Sequence, residues 1–465
     1  MLDWNKLLNP GRRKDKKPGM NSMNTGVGRK EIERDFDRIL FSAPTRRLAD
    51  KTQVFPLEKN DSVRTRLTHS HEVANLARSI GVRLAFDFPE KAFGKNHESL
   101  NVKRNVPPLL AAVGLAHDFG NPPFGHEGEE AIKKWFFNNR KEVFGSEDGV
   151  DFLSFDGNAQ TFRLVTRLQI LNDDFGLNLT YATLAALLKY PSFWSSKERG
   201  GYKKAGIFES ERKIAEEEWE QTGLKQGARH PLTHIMEACD DIAYSVLDAE
   251  DTVKKGYASF YDLLDFLETN GSGDTSIDEL IASAKAKNTE FKKEKLSSNE
   301  LNDLSMQMLR VKAISLMVND VTDTYISNSQ KMMSDDLEEG FDLISNGKTK
   351  TLCKSLKKFD FMHGYRHKSV LELELRGSNY IHSLMDMMWL GIKNEEEPDH
   401  LFQKYVFSRL SEGYKRVYKN NNGHLPKCYK KAQLLSDSIA GMTDSYLISF
   451  HDELKPLYDG FSSKK

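Results

Sequence analysis

Hydrophobic side chains recur along most of the chain at the three- and four-residue spacing of an α-helix, whereas runs that alternate β-branched and polar residues are scarce. The clearest amphipathic stripe begins after His71 and consists of Val73, Leu76, Ala77, Ile80 and Leu84. Such a stripe packs one side of a helix against a core and leaves the other side to solvent. We therefore predict an all-α protein.

Glycine and proline mark where several predicted helices end. The nearly all-apolar segment 109–116 predicts a short buried helix that stops at a Gly-Pro-rich loop. Residues 159–190 also have a helical pattern, which Pro191 should end just after Lys189 and Tyr190. The stretch that follows is polar and Gly-rich, and we expect a surface loop there.

A long amphipathic helix is expected in the middle of the chain. Pro231 suits its first turn, and its pattern closes near Gly256. Residues 269–300 are polar and poor in aromatic side chains, which predicts a flexible insertion or a subdomain boundary. Helical patterns then resume and are strongest in segment 368–392, although alternation around Glu374 would also suit a strand at its start.

The composition is typical of a globular protein. Of the 465 residues, 38% are hydrophobic and 29% are charged, the mean hydropathy is −0.58, and no apolar run approaches the roughly 20 residues of a membrane helix. The N-terminus lacks the continuous apolar stretch of a secretory signal, so we expect a cytoplasmic protein. Three widely separated cysteines fit a reducing compartment and exclude a cysteine-based zinc site.

The charge pattern does not favour nucleic acid as the main ligand, because the formal net charge is −1. One local basic cluster lies near the N-terminus and consists of Arg12, Arg13, Lys14, Lys16 and Lys17. This cluster could touch phosphates, but we expect a solvated, poorly ordered terminal segment.

The strongest chemical signal is the adjacent pair His117 and Asp118. A neighbouring imidazole and carboxylate can both reach one divalent metal. His126 and Glu129 follow the Gly-Pro-rich loop, three residues apart, where a new helix is expected to begin. Taken alone, the first pair would be read as a solvated turn and the second as a capped helix start, so residues elsewhere must decide.

Further metal ligands are available on two other predicted helices. His69 lies near the start of one, and Asp240 and Asp241 lie inside the long helix. Asp240, Tyr244 and Asp248 recur every four residues, which places two carboxylates and a phenol on one face about 12 Å long. Two imidazoles and two carboxylates suit Mn, Fe, Ni, Co or Mg. In isolation, the acidic residues of this helix would be read as solvated.

The order His, His-Asp, Asp resembles the HD-domain metal-dependent phosphohydrolases, whose core is a helical bundle around that site. Longer motifs in the same order are similar to the deoxyguanosinetriphosphate (dNTP) triphosphohydrolase branch: KTQVFPL, RTRLTHS, AHDFGNPPFGHEGEEAI, LLKYP and ACDDIAYSVLDAED. The match runs from about residue 30 to residue 260. Beyond residue 300 it is weaker and rests mainly on YRHKSVLELELRG.

This resemblance implies an all-α HD-domain bundle with additional C-terminal helices. With the patterns above, it divides the chain into four parts. These are a basic N-terminal segment at 1–30, the catalytic core at 31–268, the flexible insertion at 269–300 and a C-terminal helical region at 301–465 that packs on the core.

The resemblance also implies a metal site and a catalytic pair. The implied metal ligands are His69, His117, Asp118 and Asp240. His126 and Glu129 match the catalytic pair of the family. Physically, an imidazole with a pKa near neutrality can exchange a proton with the leaving 5′-oxygen or the attacking water, and a carboxylate one turn away can orient or charge it.

A second implied set would bind the substrate, and it comprises Gln53, Arg66, Lys189, Tyr190, Tyr244 and Asp248. The arginine fork and the lysine ammonium suit a triphosphate with about four negative charges. The glutamine and the pair on the long helix match positions that hold the deoxyribose, where hydrogen bonds to the 3′-hydroxyl and tight packing at C2′ can exclude ribonucleotides.

Some positions depart from the family pattern or extend it. His71 stands where an apolar residue is common, and we expect it outside the ligand set or on the surface. Asn121 follows the bacterial form of the loop, whereas animal relatives carry a histidine there, which puts a mechanism that needs this histidine in doubt. Arg366, His367 and Lys368 would reach a triphosphate, from a neighbouring subunit for example.

We predict a metal-dependent hydrolase that cleaves dGTP or another dNTP to deoxynucleoside and inorganic triphosphate. Two alternatives stay open: another HD-domain phosphohydrolase, such as a 5′-nucleotidase or a phosphodiesterase, and a nucleotide-sensing or DNA-binding oligomer with a weak site. The resemblance further implies a homo-oligomer, often a hexamer, with a dNTP effector or single-stranded DNA as regulators and no membrane partner. The motifs do not specify the preferred base or the native metal.

Overall fold

The computed structural model describes residues 1–16, 28–58, 60–169, 173–197, 201–334, 336–420 and 425–463. Within these ranges the chain forms twenty-two α-helices and, apart from three isolated β-bridges, no β-structure. The all-α prediction is therefore confirmed. None of the described helices combines the length and the apolar character that crossing a membrane requires.

The helices are numbered α1 to α22 in chain order. The first eleven are α1 Trp4–Leu7, α2 Glu31–Leu40, α3 Ala43–Arg47, α4 Arg66–Phe86, α5 Pro89–Phe93, α6 Val102–Ala116, α7 Gly125–Asn138, α8 Arg140–Phe144, α9 Val150–Leu153, α10 Gly157–Arg163 and α11 Tyr181–Leu187. The others are α12 Arg212–Thr222, α13 Thr233–Lys254, α14 Phe260–Asn270, α15 Thr275–Phe291, α16 Ser298–Ser334, α17 Lys350–Phe359, α18 Lys368–Lys393, α19 Leu401–Arg409, α20 Glu412–Lys419, α21 Lys427–Ala440 and α22 Asp444–Ser462. Two π-helices span Leu164–Leu168 and Asp360–Tyr365, and short 3₁₀ turns span Arg13–Lys16, Leu48–Asp50, Glu209–Glu211 and Lys292–Glu294.

The centre of the fold is the contact between α4 and α6, against which α13 also packs. At Gly114 a Cβ atom would lie only 2.7 Å from the Cα atom of Ala74, so glycine permits the close approach of α4 and α6. The C-terminal end of α6, the first turn of α4 and the middle of α13 meet beside this contact. Those three places carry the predicted metal ligands.

The C-terminal helices pack against this centre and share its hydrophobic core. One cluster of buried apolar side chains runs from Trp4 to Phe461. α18 contacts α7 as well as α21 and α22. Arg163 at the end of α10 donates to both carboxylate oxygens of Asp437 in α21, at 2.7 to 3.0 Å, and all these groups are buried. A buried charge requires such a partner, so this pair joins the two halves of the chain.

Residues 269–300, where the sequence predicts a flexible insertion or a subdomain boundary, are mostly helical. α15 buries Ile277, Leu280, Ile281 and Ala284, which lie at helical spacing and pack into the core cluster. The low aromatic content of the segment suggested flexibility, but four small and aliphatic side chains are sufficient to anchor one face of the helix.

The helical patterns of residues 159–190 belong to more than one helix. After the π-helix the backbone N–H of Leu177 bonds the carbonyl of Val165, and the side chain of Thr180 caps the start of α11. α11 ends at Leu187, so Lys189 and Tyr190 follow the helix instead of closing it. Other predicted elements agree better. α13 begins two residues after Pro231, and α18 is continuous, which excludes the strand alternative.

The N-terminal basic cluster is only partly solvated, contrary to our expectation. Arg12 is buried and donates to Asp35 at 2.7 Å and to Glu31 at 2.8 Å. Asp35 also accepts from the backbone and the hydroxyl of Thr180. A fully buried carboxylate needs a counter-charge, and Arg12 supplies it. Lys17 lies outside the described residues.

Candidate metal centre and active site

Three helices bring His69, His117 and Asp240 together. The Nε2 atom of His69 lies 3.2 Å from Oδ1 of Asp240, and the Nε2 atom of His117 lies 3.5 Å from the same oxygen. One potential ligand atom from each residue lies within 4.8 Å of the others. The fold therefore assembles three of the four predicted ligands into one group.

The His117 side chain is oriented as a metal ligand would be. Its Nδ1 atom lies 2.7 Å from the carbonyl oxygen of Gly114, which accepts a hydrogen bond from it, so in the neutral imidazole Nε2 is the nitrogen that can bind a metal. Nε2 is buried and makes no hydrogen bond to the described residues. A divalent cation would satisfy this nitrogen together with the nearby carboxylate, so the residues present fit a metal.

Asp118 borders this group and is held from both sides. Its Oδ2 atom lies 3.4 Å from Nε2 of His117 and accepts from Arg66 at 2.5 Å. Its Oδ1 atom accepts from the side-chain amide of Asn121 at 2.7 Å. These two donors fix the carboxylate beside the other ligands.

The electrostatics of the group also favour a cation. Burial opposes charge on His117, but Asp118 and Asp240 outweigh it and raise the pKa of His117 to about 9. In the same way, burial would raise the pKa of Asp240, yet the neighbouring imidazoles and Lys189 hold that pKa well below its usual range. Two carboxylates in one buried place attract positive charge, and a divalent ion supplies it most compactly.

Two of the predicted phosphate-binding cations flank the ligands. Lys189 Nζ lies 3.6 Å from Oδ2 of Asp240 and 3.7 Å from Glu237, and these carboxylates raise its pKa against the effect of burial. Arg66, which contacts Asp118, also donates from Nε to the carbonyl of Thr52 at 3.0 Å. Both cations are therefore in place beside the metal group.

The predicted catalytic pair lies at the start of α7. Gly125 has a positive φ of 56°, and a Cβ atom there would lie 2.9 Å from Nη2 of Arg66, so the chain passes close to that guanidinium. The next side chain, His126, is 74% exposed, and its Nδ1 atom lies 3.4 Å from Oε2 of Glu129. The other oxygen of Glu129 accepts from the backbone of Gly157 at 2.7 Å. The hydrogen bond that His126 donates to the Glu129 carboxylate raises the pKa of His126.

The predicted sugar-binding residues offer unpartnered acceptors. Tyr244 and Asp248 follow Asp240 by one and two turns of α13. Asp248 is buried, and one of its oxygens accepts from the hydroxyl of Tyr365 at 2.5 Å. Its other oxygen, and the side-chain oxygen of Gln53, are buried without a hydrogen-bond partner among the described residues. Each could accept from a hydroxyl group of a ligand.

The remaining predicted residues are less directly connected. The ring of Tyr190 is half-buried next to the ammonium of Lys189, 5.9 Å from the ring centroid. Arg366 and Lys368 are exposed, and the Arg366 guanidinium lies 4.4 Å over the ring of Phe361. Their contact with a phosphate stays a prediction.

Two lysines near the site, Lys204 and Lys357, were not predicted from the sequence. Lys204 pairs with Asp156 at 2.7 Å, and its charge lowers the pKa of His126 and so opposes Glu129. Lys357 pairs with Asp241 at 2.7 Å. Lys204 belongs to the polar stretch expected to be a surface loop, of which residues 198–200 are not described, and Lys357 lies in the region of weak resemblance. Neither stretch had a motif that singles out its lysine.

Two family models match the chain. The HD domain matches residues 66–167, and the phosphohydrolase-associated domain matches residues 343–453. The first range includes the His-Asp pair and the catalytic pair, and the second covers most of the C-terminal helices.

Relatives match over nearly the whole chain. A deoxyguanosinetriphosphate triphosphohydrolase-like protein of Listeria monocytogenes is 34% identical over 476 residues, which cover 98% of this chain and 100% of the relative. A protein of the same description from Pseudomonas aeruginosa is 32% identical and covers 97% of this chain and 98% of its own length. The deoxyguanosinetriphosphate triphosphohydrolase of Serratia proteamaculans is 31% identical, over 92% of this chain and 94% of the relative.

Proposed function

Because the chain belongs to the family of deoxyguanosinetriphosphate triphosphohydrolase-like proteins, we propose that it hydrolyses dGTP or other dNTPs to deoxynucleoside and inorganic triphosphate. The observation that carries the proposal is the unpartnered, buried Nε2 of His117 between carboxylates, with Arg66 and Lys189 beside them. This arrangement offers a metal site and cations for a polyphosphate in one place. The proposed ligands are the four that the sequence predicts.

The metal and the two cationic side chains would contact different parts of the triphosphate. When bound, a divalent ion, whether Mn, Mg, Fe, Ni or Co, polarises the α-phosphate and acidifies water. Arg66 and Lys189 bind the phosphate chain as fork and point charge. Lys204, whose positive charge lowers the pKa of His126, adds a third cation on the side of the catalytic pair.

The proton is handled by His126 and Glu129. The water oxygen bonds to the α-phosphorus while the bond from phosphorus to the 5′-oxygen breaks. Protonated His126 donates its proton to the departing 5′-oxygen, which becomes the 5′-hydroxyl, and a proton released by the water restores the imidazolium. Glu129, held by the backbone of Gly157, keeps His126 charged and oriented.

The deoxyribose is recognised by Gln53, Tyr244 and Asp248. One of the two unpartnered oxygens, of Gln53 or of Asp248, accepts from the 3′-hydroxyl. We assign the Tyr244 ring, which lies 5.7 Å from the ring of Tyr365, to packing at C2′, where it would exclude a 2′-hydroxyl. We therefore propose selection of deoxyribonucleotides.

This selection is tested by incubating the protein with Mn²⁺ or Mg²⁺ and each dNTP, alone and in mixtures, with the four ribonucleotides as internal controls. We expect at least one dNTP to be turned over about 100-fold faster than its ribonucleotide. The added 2′-hydroxyl would be buried without a hydrogen-bond partner and would clash sterically, and each effect costs about 1–3 kcal/mol. Ion-exchange chromatography identifies the products. Equal turnover of both sugars contradicts the sugar site, and metal binding without turnover of any dNTP favours a sensing oligomer.

We further propose that the protein acts in the cytoplasm as a homo-oligomer. Four large apolar side chains are exposed in the π-helix Asp360–Tyr365 and in the first part of α18, namely Phe361, Met362, Leu371 and Leu375. Grouped exposed apolar side chains support an interface with another copy. A hexameric state, and control by a dNTP effector or single-stranded DNA, stay predictions.

A further inference from the structure

We infer that Lys51 and Asp444 are positioning residues for Asp118, because two buried hydrogen-bond chains connect the junction of α21 and α22 with the two oxygens of this carboxylate. The inference rests on the proposed role of Asp118 as a metal ligand. The junction of α21 and α22, more than 300 residues after Asp118 in the sequence, would thereby help to orient a metal ligand.

The first chain reaches Oδ1 of Asp118. The ammonium of Lys51 donates to the carbonyl of Ala440, the last residue of α21, at 2.8 Å. It also donates to the carbonyl of Asn121 at 2.5 Å. The side-chain amide of Asn121 then donates to Oδ1 of Asp118 at 2.7 Å. Lys51 therefore fixes the backbone of the residue that orients this oxygen.

The second chain reaches Oδ2 of Asp118. Asp444, the first residue of α22, accepts from the backbone N–H of Thr52 at 3.0 Å and from its hydroxyl. The carbonyl of Thr52 accepts from Nε of Arg66 at 3.0 Å, and Nη1 of Arg66 donates to Oδ2 of Asp118 at 2.5 Å. The other carboxylate oxygen of Asp444, Oδ1, accepts from the backbone N–H of Phe124 at 3.1 Å. Asp444 thus holds the two segments that flank the carboxylate.

Core packing alone does not explain these two charged side chains. Lys51 is 4% exposed and Asp444 is 2% exposed, and burying a charge costs several kcal/mol, whereas an apolar side chain of similar size would fill the same space. What the two side chains provide is direction, because Lys51 donates to the carbonyl of Asn121 and Asp444 accepts from the backbone N–H of Phe124, at the two ends of the loop 121–124. This loop joins Asp118 to the start of α7.

The two chains converge on Asp118, and they are also linked beside it, because the backbone N–H of Arg66 donates to the carbonyl of Lys51 at 3.2 Å. Losing either one frees one oxygen of the carboxylate, so the ligand can rotate away from His117, whose Nε2 lies 3.4 Å from it. Removing a group that orients a metal ligand typically weakens metal binding 10- to 100-fold. The C-terminal helices would therefore set the affinity for the metal without contacting it.

The test compares Lys51→Met and Asp444→Asn, which keep the approximate size of each side chain and remove its charge. The matched control is Ser445→Ala, since Ser445 follows Asp444 directly but is exposed and donates to Asp50 outside the two chains. Binding of Mn²⁺ alone is measured by isothermal titration calorimetry, folding by circular dichroism, and dGTP hydrolysis as a function of Mn²⁺ concentration.

We expect both charge-removing variants to bind Mn²⁺ about 10- to 100-fold more weakly, and their activity to recover largely at high Mn²⁺. The control should bind like the wild type. A purely structural role would instead lower the active fraction equally at every Mn²⁺ concentration. Folded variants whose dissociation constants stay within about twofold of wild type overturn the inference, and so does failure of both variants to fold, which would assign the charges to stability.

His117→Ala in the same titration separates this inference from the proposed function. If His117→Ala still binds Mn²⁺ like the wild type, the metal site itself is wrongly assigned. If it loses Mn²⁺ while Lys51→Met and Asp444→Asn retain it, only the positioning role fails.

Discussion

Replacement of His117 by alanine is expected to abolish binding of one divalent ion per chain and to lower dGTP turnover at least about 1,000-fold. The substitution removes the buried nitrogen that has no other partner, and with it the imidazole that lies 3.4 Å from Asp118 and 3.5 Å from Asp240. Metal stabilisation of developing charge contributes several kcal/mol, and about 4 kcal/mol corresponds to a factor of 1,000 in rate. Metal content by mass spectrometry and hydrolysis in excess Mn²⁺ measure the two effects.

His71→Ala is the matched control for this experiment. His71 lies two residues after His69 on α4, but its side chain is exposed, which agrees with the surface alternative for this departure from the family pattern. We expect wild-type metal content and activity from it. Full activity of His117→Ala with metal still bound would show that the reaction does not use this centre.

Replacement of His126 by alanine should lower kcat about 100- to 10,000-fold while metal binding stays intact. The range is that of a general acid or base positioned at a reacting group. His126 contributes no ligand atom to the group formed by His69, His117 and Asp240, so the two kinds of loss are separable. Calorimetry with Mn²⁺ and single-turnover kinetics check both halves of the expectation. Loss of metal together with activity would contradict the assignment of His126 as a proton donor.

The pH dependence of kcat/KM tests the partnership of His126 and Glu129. Glu129 raises the pKa of His126 above its ordinary value of 6.5, so the acid form persists to higher pH and the alkaline decline should begin above that value. Glu129→Gln removes the charge, and the decline should move to lower pH. Glu130→Gln is the control, because Glu130 is about half exposed and pairs with Lys133, and its influence on His126 is weaker. Equal shifts in both variants would contradict the partnership.

The helices that form the centre of the fold were predictable because their patterns are complete. The stripe after His71 and the apolar segment 109–116 each show a full helical face, and both helices exist, with the first extending from Arg66 and the second from Val102. The observed helices are longer than predicted because polar first turns carry little pattern. The sequence therefore predicted the presence of buried, continuous helices but not the residues at which they begin and end.

Expectation and structure differ where tertiary contacts outweigh local composition. α15 has few aromatic residues, yet a short aliphatic stripe anchors it. Arg12 is buried because Asp35, in α2, requires a counter-charge, and no local pattern reveals that need. The break before α11 depends on a contact between Leu177 and Val165 that periodicity cannot show.

In the candidate site, too, some residues were predictable from the sequence and others were not. His69, His117 and Asp240 were identified through motifs, and the structure brings them together. Lys204 and Lys357 were missed, since one lies in a polar Gly-rich stretch and the other where the resemblance is weak. The motif KTQVFPL includes Lys51, but its link to Ala440 joins two distant parts of the chain and becomes visible only in three dimensions.

Hydrolysis of dGTP in ¹⁸O-labelled water tests the central claim most directly. If water attacks the α-phosphorus and the bond to the 5′-oxygen breaks, mass spectrometry should find one labelled oxygen in inorganic triphosphate, none in deoxyguanosine, and equal amounts of the two products. Label in deoxyguanosine, or release of phosphate or pyrophosphate with dGDP or dGMP as the first product, would contradict the account.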